Sequence, residues 1–407
     1  MEITTRIYHS STEEMPWQDW EQVRHHAKGG DTFMGMSPRF LACIEQSMND
    51  ISQLWYVLFY SDTGTPIASA CLSTLRVDLV AIADAGTRRA IGALRKLLPS
   101  LCHLNVLFCG LPVSLGQKNL LFTPEADPKA VLAALDRLLT TIARQQKAWF
   151  IVYKEHGDED LHDLKSLVQH GYRQAVSLDM HVFEEPFQNF EHYLSNLNSH
   201  YRYDIRRSRR KLDRAGVTIS RWEDPATIRA LYTEALHQRY LDVVEKSENK
   251  LEILPVDFFH ELTRQFPRQV ALTGLVKDGQ ILAFNWSLTN DASYQFMFCG
   301  IDYSANAKMD LYFNLMYSEL DYALQSGARE IKVGQTASQF KTRLGCSQRP
   351  LHLFIKGVDA ISRSLLALGF NLLFPPRPER QEADIYSSKY ISTNRLSQKP
   401  EPESNSF

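Results

Sequence analysis

Lys341 lies a few residues past the run Val333-Gly334-Gln335-Thr336, where a short strand ends. A lysine in that place can reach over the carboxyl edge of a sheet, the edge at which ligands of helix-covered sheets bind. Its ammonium can stabilise negative charge that grows on a substrate; the competing reading is a solvated surface lysine. Arg343, two residues on, points away on a helix and alongside in a turn. A second polar group, Asp302-Tyr303-Ser304, with Asn306 and Lys308 close behind in the loop 302–310, leads into a helical pattern that starts at Asp310. Asp302 can act as a base, and Tyr303 can orient a substrate or protonate a leaving group, although Asp and Ser at such positions also serve as helix caps. Backbone amides at the start of the Asp310 helix can hold a phosphate. Tyr317 and Glu319, further along that helix, read as a packing and a surface residue.

Between Arg202 and Arg214 stand seven basic residues and two acids. Arg202, Arg206, Arg209 and Arg210 share a helical face, with Tyr201, Ile205, Ser208 and Leu212 as the packed stripe. That face suits phosphate on a nucleotide, a lipid-linked precursor or a tRNA; the alternative is a solvated helix. No metal site is expected, because His25-His26 and Cys102-His103 are adjacent pairs whose side chains diverge. There is no Gly-rich phosphate loop, serine nucleophile elbow or dinucleotide fingerprint.

The elements that must position these residues occur twice. Phe108-Cys109-Gly110-Leu111-Pro112-Val113-Ser114 and Phe298-Cys299-Gly300-Ile301-Asp302-Tyr303-Ser304 spell nearly the same word. Upstream of each lies a hairpin pattern: Leu54–Tyr60 and Pro66–Leu75 about Asp62-Thr63-Gly64, then Val270–Val276 and Ile281–Leu288 about Asp278-Gly279. Downstream follow an amphipathic helix (Ala130–Gln146; Asp310–Ser326), a short strand (Trp149–Tyr153; Glu330–Val333), a helix closed by Gly171 or Gly345, and a last strand (Val176–Phe183; Leu351–Ile355). Helix-linked strands pair in parallel and hairpins antiparallel, so each half is a mixed sheet with helices on its faces, an α/β (α+β) unit duplicated within the chain. The first copy has an extra helical pattern, Leu79–Leu98. The polar pair Asp302-Tyr303 replaces Pro112-Val113 of the first copy, so chemistry is expected in the second.

The division expected is 1–183 for a degenerate first copy and 184–356 for a catalytic second one. An apolar terminal helix at 357–374 follows, then a disordered tail at 375–407 rich in Pro, Ser, Glu, Lys and Gln. Residues 200–266 read as helical, with Pro225 and Pro255 as first-turn prolines. Of 407 residues, 44% are hydrophobic, enough for two domains with cores, and 45 basic against 47 acidic side chains exclude a global field toward nucleic acid or anionic membrane. Six cysteines without paired spacing read as buried thiols in a reducing compartment. No apolar run reaches the roughly 18 residues of a membrane span, and Met1-Glu2-Ile3-Thr4-Thr5-Arg6 lacks a secretory signal, so a cytoplasmic location is expected.

Four blocks of the second half, Leu311-Tyr312-Phe313-Asn314-Leu315-Met316-Tyr317, Ala323–Ile331, Val333-Gly334-Gln335-Thr336 and Gln339-Phe340-Lys341-Thr342-Arg343-Leu344-Gly345, together resemble the tandem-GNAT proteins. These comprise the Fem-type peptidyltransferases of cell-wall synthesis and related acyltransferase-like proteins. The segments Tyr193–Ser199 and Tyr201–Arg207 are similar to the same families' lead into their second domain. The resemblance implies two GNAT-like domains side by side and transfer of an acyl or aminoacyl group to an amine or hydroxyl in or near the cleft. The resemblance places Lys341 in the cleft, and with the readings above the expected catalytic set is Lys341, Tyr303 and Asp302, with Phe340, Arg343, Gln335, Thr336, Ser304, Asn306, Lys308, Arg206 and Arg210 expected around donor and substrate. The chain departs from single-domain GNAT enzymes in lacking the Gln/Arg-x-x-Gly-x-Gly/Ala turn for a coenzyme A pyrophosphate. No bound cofactor is expected; acyl-CoA is a candidate co-substrate, as is acyl-carrier protein. Two alternatives stand beside acyl transfer: aminoacyl-tRNA-dependent addition to a cell-wall precursor, and a non-catalytic module that recognises a small-molecule, lipid-linked or nucleotide-linked ligand.

Overall fold

Alternation in the strands assigns their two faces to two different cores. In the strand Leu54–Tyr60 every residue is buried. Leu54, Tyr56, Leu58 and Tyr60 join one cluster, and Trp55, Val57 and Phe59 join another, as a side-chain period of two requires. The computed structural model describes residues 3–9, 15–28, 34–78, 103–247, 252–290, 292–375, 383–388 and 390–391. The expected helix Leu79–Leu98 lies outside them.

In chain order the first half runs β1 (Thr4–Tyr8), α1 (Trp17–His26), α2 (Pro38–Met48), β2 (Leu54–Tyr60), β3 (Pro66–Asp78), β4 (His103–Cys109), β5 (Leu120–Phe122), α3 (Pro128–Gln145), β6 (Phe150–Gly157), α4 (Leu161–Leu164) and β7 (Arg173–Val176). β8 (Met180–Phe183) ends the first half, and the second runs α5 (Phe190–Asn196), α6 (Ser199–Arg214), β9 (Thr218–Trp222), α7 (Pro225–Leu231), α8 (Glu234–Lys246), α9 (Val256–Gln265), β10 (Val270–Lys277), β11 (Gln280–Thr289) and β12 (Ser293–Ile301). It continues with α10 (Tyr303–Met309), α11 (Leu311–Gln325), β13 (Glu330–Gly334), α12 (Ser338–Leu344), β14 (Ser347–Arg349), β15 (Leu351–Gly357) and α13 (Ala360–Leu373).

One sheet has the order β1-β2-β3-β4-β6-β15-β7, with β5 paired to β3, and the other the order β9-β10-β11-β12-β13-β8-β14. The two orders correspond strand for strand, and the repeated words end equivalent strands, β4 and β12. The β10–β11 hairpin turns on Asp278 (φ 49°) and Gly279 (φ 76°), the left-handed pair that a two-residue hairpin needs. Among the described strands only the pairs β4–β6 and β12–β13 are parallel. α3 begins at the cap Asp127, whose side chain accepts from the Lys129 amide, with Pro128 in the first turn. It buries Val131, Leu132, Leu135, Leu139 and Ile142, in the cluster that also holds Trp55, Val57 and Phe59.

One expectation is corrected by the topology. The last strand of each half does not close its own sheet. β8 leaves the first half and lies between β13 and β14, and β15 leaves the second and lies between β6 and β7, all antiparallel. The segment read as one strand, Val176–Phe183, is in fact the end of β7 and all of β8, in different sheets. The halves also share a core, in which Trp20, Phe40 and Tyr56 meet Phe258, Phe259, Phe266 and Trp286. Fully burying each such ring contributes about 1.5–3 kcal/mol.

Three smaller readings change as well. Thr218–Trp222, inside the region read as helical, is the edge strand β9. Pro255 precedes α9 as its cap, whereas Pro225 does open α7. Residues 383–388, expected in the tail, dock on the second half: Ile385 is buried, Tyr386 bridges to Leu197, and its ring lies 5.8 Å from that of Phe187. The apolar helix forms as α13, with Leu366 buried against the first sheet and Ile361, Leu365 and Leu368 exposed. Among the described residues no helix is long and apolar enough to cross a membrane.

A chain ending at residue 350 would leave β6 and β7 without the strand that joins them. It is expected to lose the cooperative thermal transition followed by circular dichroism and to aggregate in size-exclusion chromatography. A monomeric chain with the full-length melting profile would contradict the exchange.

Candidate active site

In the first sheet β4 and β6 stay paired to the end of the repeated word, Val106 to Cys109 against Phe150 to Tyr153. In the second sheet the equivalent pair holds only from Ser293 to Gln295 against Glu330 to Lys332, and then the strands part. Both strands are bent there. β12 bulges against β11 between the pairs Phe296–Ser287 and Cys299–Asn285, and β13 bulges against β8 at Gly334, which sits at φ 94°. A bulge adds one unpaired residue and turns its strand aside. Cys299 of β12 and Gly334 of β13 therefore flank an opening that the first copy lacks.

Lys341 occupies that place. Lys341 is 4% exposed, and a Cβ on Gly334, whose φ of 94° favours glycine, would lie 3.2 Å from its Nζ, a tight contact that the ammonium would have to yield to. Burial lowers the ammonium from 10.5 to about 8. The neighbouring thiols of Cys299 and Cys346, pushed by burial up to about 11 and about 12, stay protonated at neutral pH and offer no counter-charge. Among the described residues Lys341 has no ion-pair partner. The solvated-surface alternative is thus corrected: this is a buried, unpaired cation.

The segment carrying it is pinned and strained. Ala337 precedes α12 in the left-handed region at φ 56°, a conformation costing roughly 1–2 kcal/mol for a residue with a Cβ. His181 of β8 bonds the Gly334 carbonyl through Nδ1 at 3.0 Å and Ser338 Oγ through Nε2 at 2.8 Å. A carbonyl only accepts, so Nδ1 carries the proton and Nε2 accepts from the hydroxyl. Burial and the Lys341 charge lower His181 to about 4, keeping it neutral.

The other expected residues fall into different places. Asp302 is the cap of α10 and lies 2.8 Å from Arg239. Arg239 and Ser304 hold its carboxyl at about 2, so the expected role as base is corrected: so acidic a group is a poor proton acceptor. Tyr303 is half-buried under the Lys246 ammonium, 3.4 Å from the ring centroid, with its hydroxyl raised by burial and by nearby Cys299 and Asp242. Ser304 is exposed, its hydroxyl 2.5 Å from Asp302, and Lys308 is exposed near the end of α10. The loop expected at 302–310 is the helix α10. Asn306 takes the Tyr312 amide at 3.0 Å, and Asp310, at φ 51°, pairs with Lys211 at 2.9 Å. The start of α11 is therefore not the open phosphate cradle expected.

Phe340 packs over α11, stacked on Phe313 at 5.0 Å and near Tyr312 and Tyr317. Arg343 is half-exposed, pairs with Asp204 of α6 at 3.3 Å, and so points away from Lys341. Thr336 is exposed, whereas Gln335 crosses to the first half and donates to Glu155 Oε1 at 2.8 Å. On α6 the expected stripe is buried at Ile205, Ser208 and Leu212 and partly buried at Tyr201, and Arg206 and Arg210 are exposed. The four-arginine face is corrected in two members: Arg209 lies 4.0 Å over the Phe190 ring and is partly buried, and Arg202, partly buried as well, donates to the Ser195 carbonyl at 3.2 Å. Glu319, read as a surface residue, is fully buried and accepts from the Tyr294 hydroxyl at 2.7 Å, with Arg221 4.0 Å away.

A sequence model of the FemAB-like family, described as peptidoglycan biosynthesis/recognition, matches residues 107–352. No curated protein matches the sequence. Among solved structures, a tandem GNAT protein from the clavulanic acid biosynthesis pathway, determined without AcCoA, is 10% identical with a TM-score of 0.53, covering 88% of this chain and 99% of its own. FemX is 12% identical with a TM-score of 0.51, covering 90% of this chain and 99% of its own. The two mixed sheets are thus a tandem GNAT fold, and with the family match spanning both halves, the chain belongs to the FemAB-like family.

Proposed function

We propose that the chain transfers an acyl or aminoacyl group from an activated donor to an amine or hydroxyl, with the donor's carbonyl lodged where β12 and β13 part. The observation carrying this reading is the unpaired Lys341 ammonium, buried in the one copy whose strands separate. Holding a lone cation in an apolar site is costly unless negative charge arrives there. Direct acyl transfer supplies it: attack on the carbonyl builds an oxyanion, and the leaving atom then departs with its electron pair. On this reading Tyr303, whose hydroxyl burial keeps protonated at neutral pH, gives that atom a proton.

An aminoacyl ester of tRNA fits as donor better than coenzyme A. α10 opens on the Asp302 carboxylate and α11 on an amide already taken by Asn306, so neither helix start welcomes a pyrophosphate. Arg206 and Arg210 offer exposed guanidinium groups for phosphate on α6, and the family's description points to a cell-wall precursor as acceptor. Thermal stabilisation by aminoacyl-tRNA and its absence with acyl-CoA is the expected outcome; the reverse would make coenzyme A the donor.

Replacing Arg206 and Arg210 together by Gln is expected to weaken tRNA binding. It should also flatten the slope of log K against log salt by about 1.4 if both arginines contact single-stranded phosphates. An unchanged slope would leave the two arginines as solvated groups.

Lys341→Met keeps the stem and removes the charge. Turnover is expected to fall by roughly a hundredfold, the worth of about 3 kcal/mol of oxyanion stabilisation. In the parent, turnover should decline as pH rises through about 8, where Lys341 loses its proton, and this limb should vanish in the variant. Because the folded chain releases that proton at lower pH than the unfolded one, stability should rise with pH between about 8 and 10.5. Lys341→Met should abolish that rise and melt at a higher temperature at pH 7. Parental turnover in the variant would remove Lys341 from the site.

A further inference from the structure

The helix that carries Lys341 ends in a glycine turn whose hydrogen bonds reach back to the lysine. Gly345, at φ 99°, donates to the Thr342 carbonyl at 3.0 Å, and Cys346 donates to the carbonyl of Lys341 itself at 3.0 Å. Residues 383–391 lie over that turn. They follow α13 in the chain, yet α13 packs on the first sheet and they dock on the second half. A Cβ on Gly345 would lie 2.3 Å from Tyr386 Oη and 2.8 Å from Ile385 Cδ1, so another residue at 345 would have to push the segment aside. Tyr193, fully buried, holds the same turn by donating to the Leu344 carbonyl at 3.0 Å.

The segment is bonded in place at the junction of α5 and α6. The Asn198 amide donates to the Ile385 carbonyl and the Ser387 amide to the Asn196 carbonyl, both at 2.8 Å, on either side of the Leu197–Tyr386 bridge. Asn198 Nδ2 donates to the Asp384 carbonyl at 2.9 Å, Ile385 is 1% exposed, and the Tyr390 hydroxyl donates to Glu185. One group opposes this docking. The Tyr386 hydroxyl is buried and, among the described residues, has no hydrogen-bond partner, a cost that phenylalanine would avoid. What the segment covers bears directly on Lys341, whose titratable neighbours bring it no charge. The thiols of Cys299 and Cys346 and the imidazole of His181 are neutral, and Arg343 turns away to Asp204. Packing alone therefore keeps water from the ammonium, and Leu344, Cys346 and Ile385 belong to one buried cluster. Lifting the segment opens Leu344 and Cys346 to water, which favours the charged lysine.

We propose that residues 383–391 are a strap that positions Lys341, with Ile385 and Tyr386 as positioning residues. Docked, the strap holds the end of α12 closed and keeps the ammonium dry; released, it lets the ammonium hydrate. The inference rests on the acyl-transfer reading only for its consequence in turnover, since a hydrated cation gives less to a developing oxyanion than a dry, fixed one.

Titration of the full chain carrying ¹³C-labelled lysine, with no donor present, tests the strap. Ile385→Asp puts a charge where the isoleucine is buried. It is expected to release the strap and move the Lys341 titration from about 8 toward 10.5, with the Cys346 amide exchanging faster with solvent. Ser387→Pro removes the amide that donates to Asn196 without touching the core, and is expected to do the same should Ile385→Asp fail to fold. Tyr386→Phe sheds the unpaired hydroxyl, so its titration should stay near 8 and its Cys346 amide should exchange more slowly. Leu368→Ser, on the exposed side of α13, should change neither. Lys341 titrating near 8 in folded Ile385→Asp and in Ser387→Pro overturns the proposal. A titration that moves while turnover stays parental upholds the strap and counts against the oxyanion role of Lys341, so the two failures are distinct.

Discussion

Each sheet contains a strand that the other half donates, and everything else in the molecule depends on that exchange. β15 joins β6 to β7 and β8 joins β13 to β14, so neither sheet is complete without the whole chain. Hydrogen bonds in the interior of both sheets, together with the common core of Trp20, Phe40, Phe258 and Trp286, oppose any hinge between the halves. A cleft built this way keeps its geometry. It can hold Gln335 of one half 2.8 Å from Glu155 of the other, an arrangement that a mobile domain interface would not sustain.

Within that frame the two copies have diverged at one place. The first zips β4 to β6 as far as Cys109 and Tyr153. The second stops at Gln295 and Lys332, bends both strands, and fills the opening with a lysine. The local costs accumulate there: a left-handed Ala337, an unpaired ammonium near apolar thiols, and a neutral His181 tying the loop to β8. Across the cleft Glu155 repeats the pattern with the opposite charge. A fold stabilised by two sheets and large shared cores tolerates such concentrated strain.

Much of this was legible in the chain itself. The hairpins, the equivalent strands and the position of Lys341 follow from apolar alternation, glycine turns and the repeated words, all of which are local signals. The strand exchange leaves no local trace, because β8 and β15 have the same alternating pattern whichever sheet they join. Asp302 read as a base because its neutraliser, Arg239, lies on α8, far back in the chain. Glu319 read as exposed because a lone acid on a helix usually is, and only the fold brings Tyr294 and Arg221 to it. The strain at Glu155 leaves no sequence trace either, because a left-handed residue at a bulge is set by how β6 pairs with β15.

On the proposed reading Lys341 is a buried cation waiting for charge at a donor's carbonyl. The most direct measurement is NMR of protein carrying ¹³C-labelled lysine, with the Lys341 resonance identified by its absence in Lys341→Met. The account predicts a lysine that titrates near 8 and moves when an acyl or aminoacyl donor is added. A resonance that titrates near 10.5, the value of a solvated lysine, and ignores every donor would contradict it.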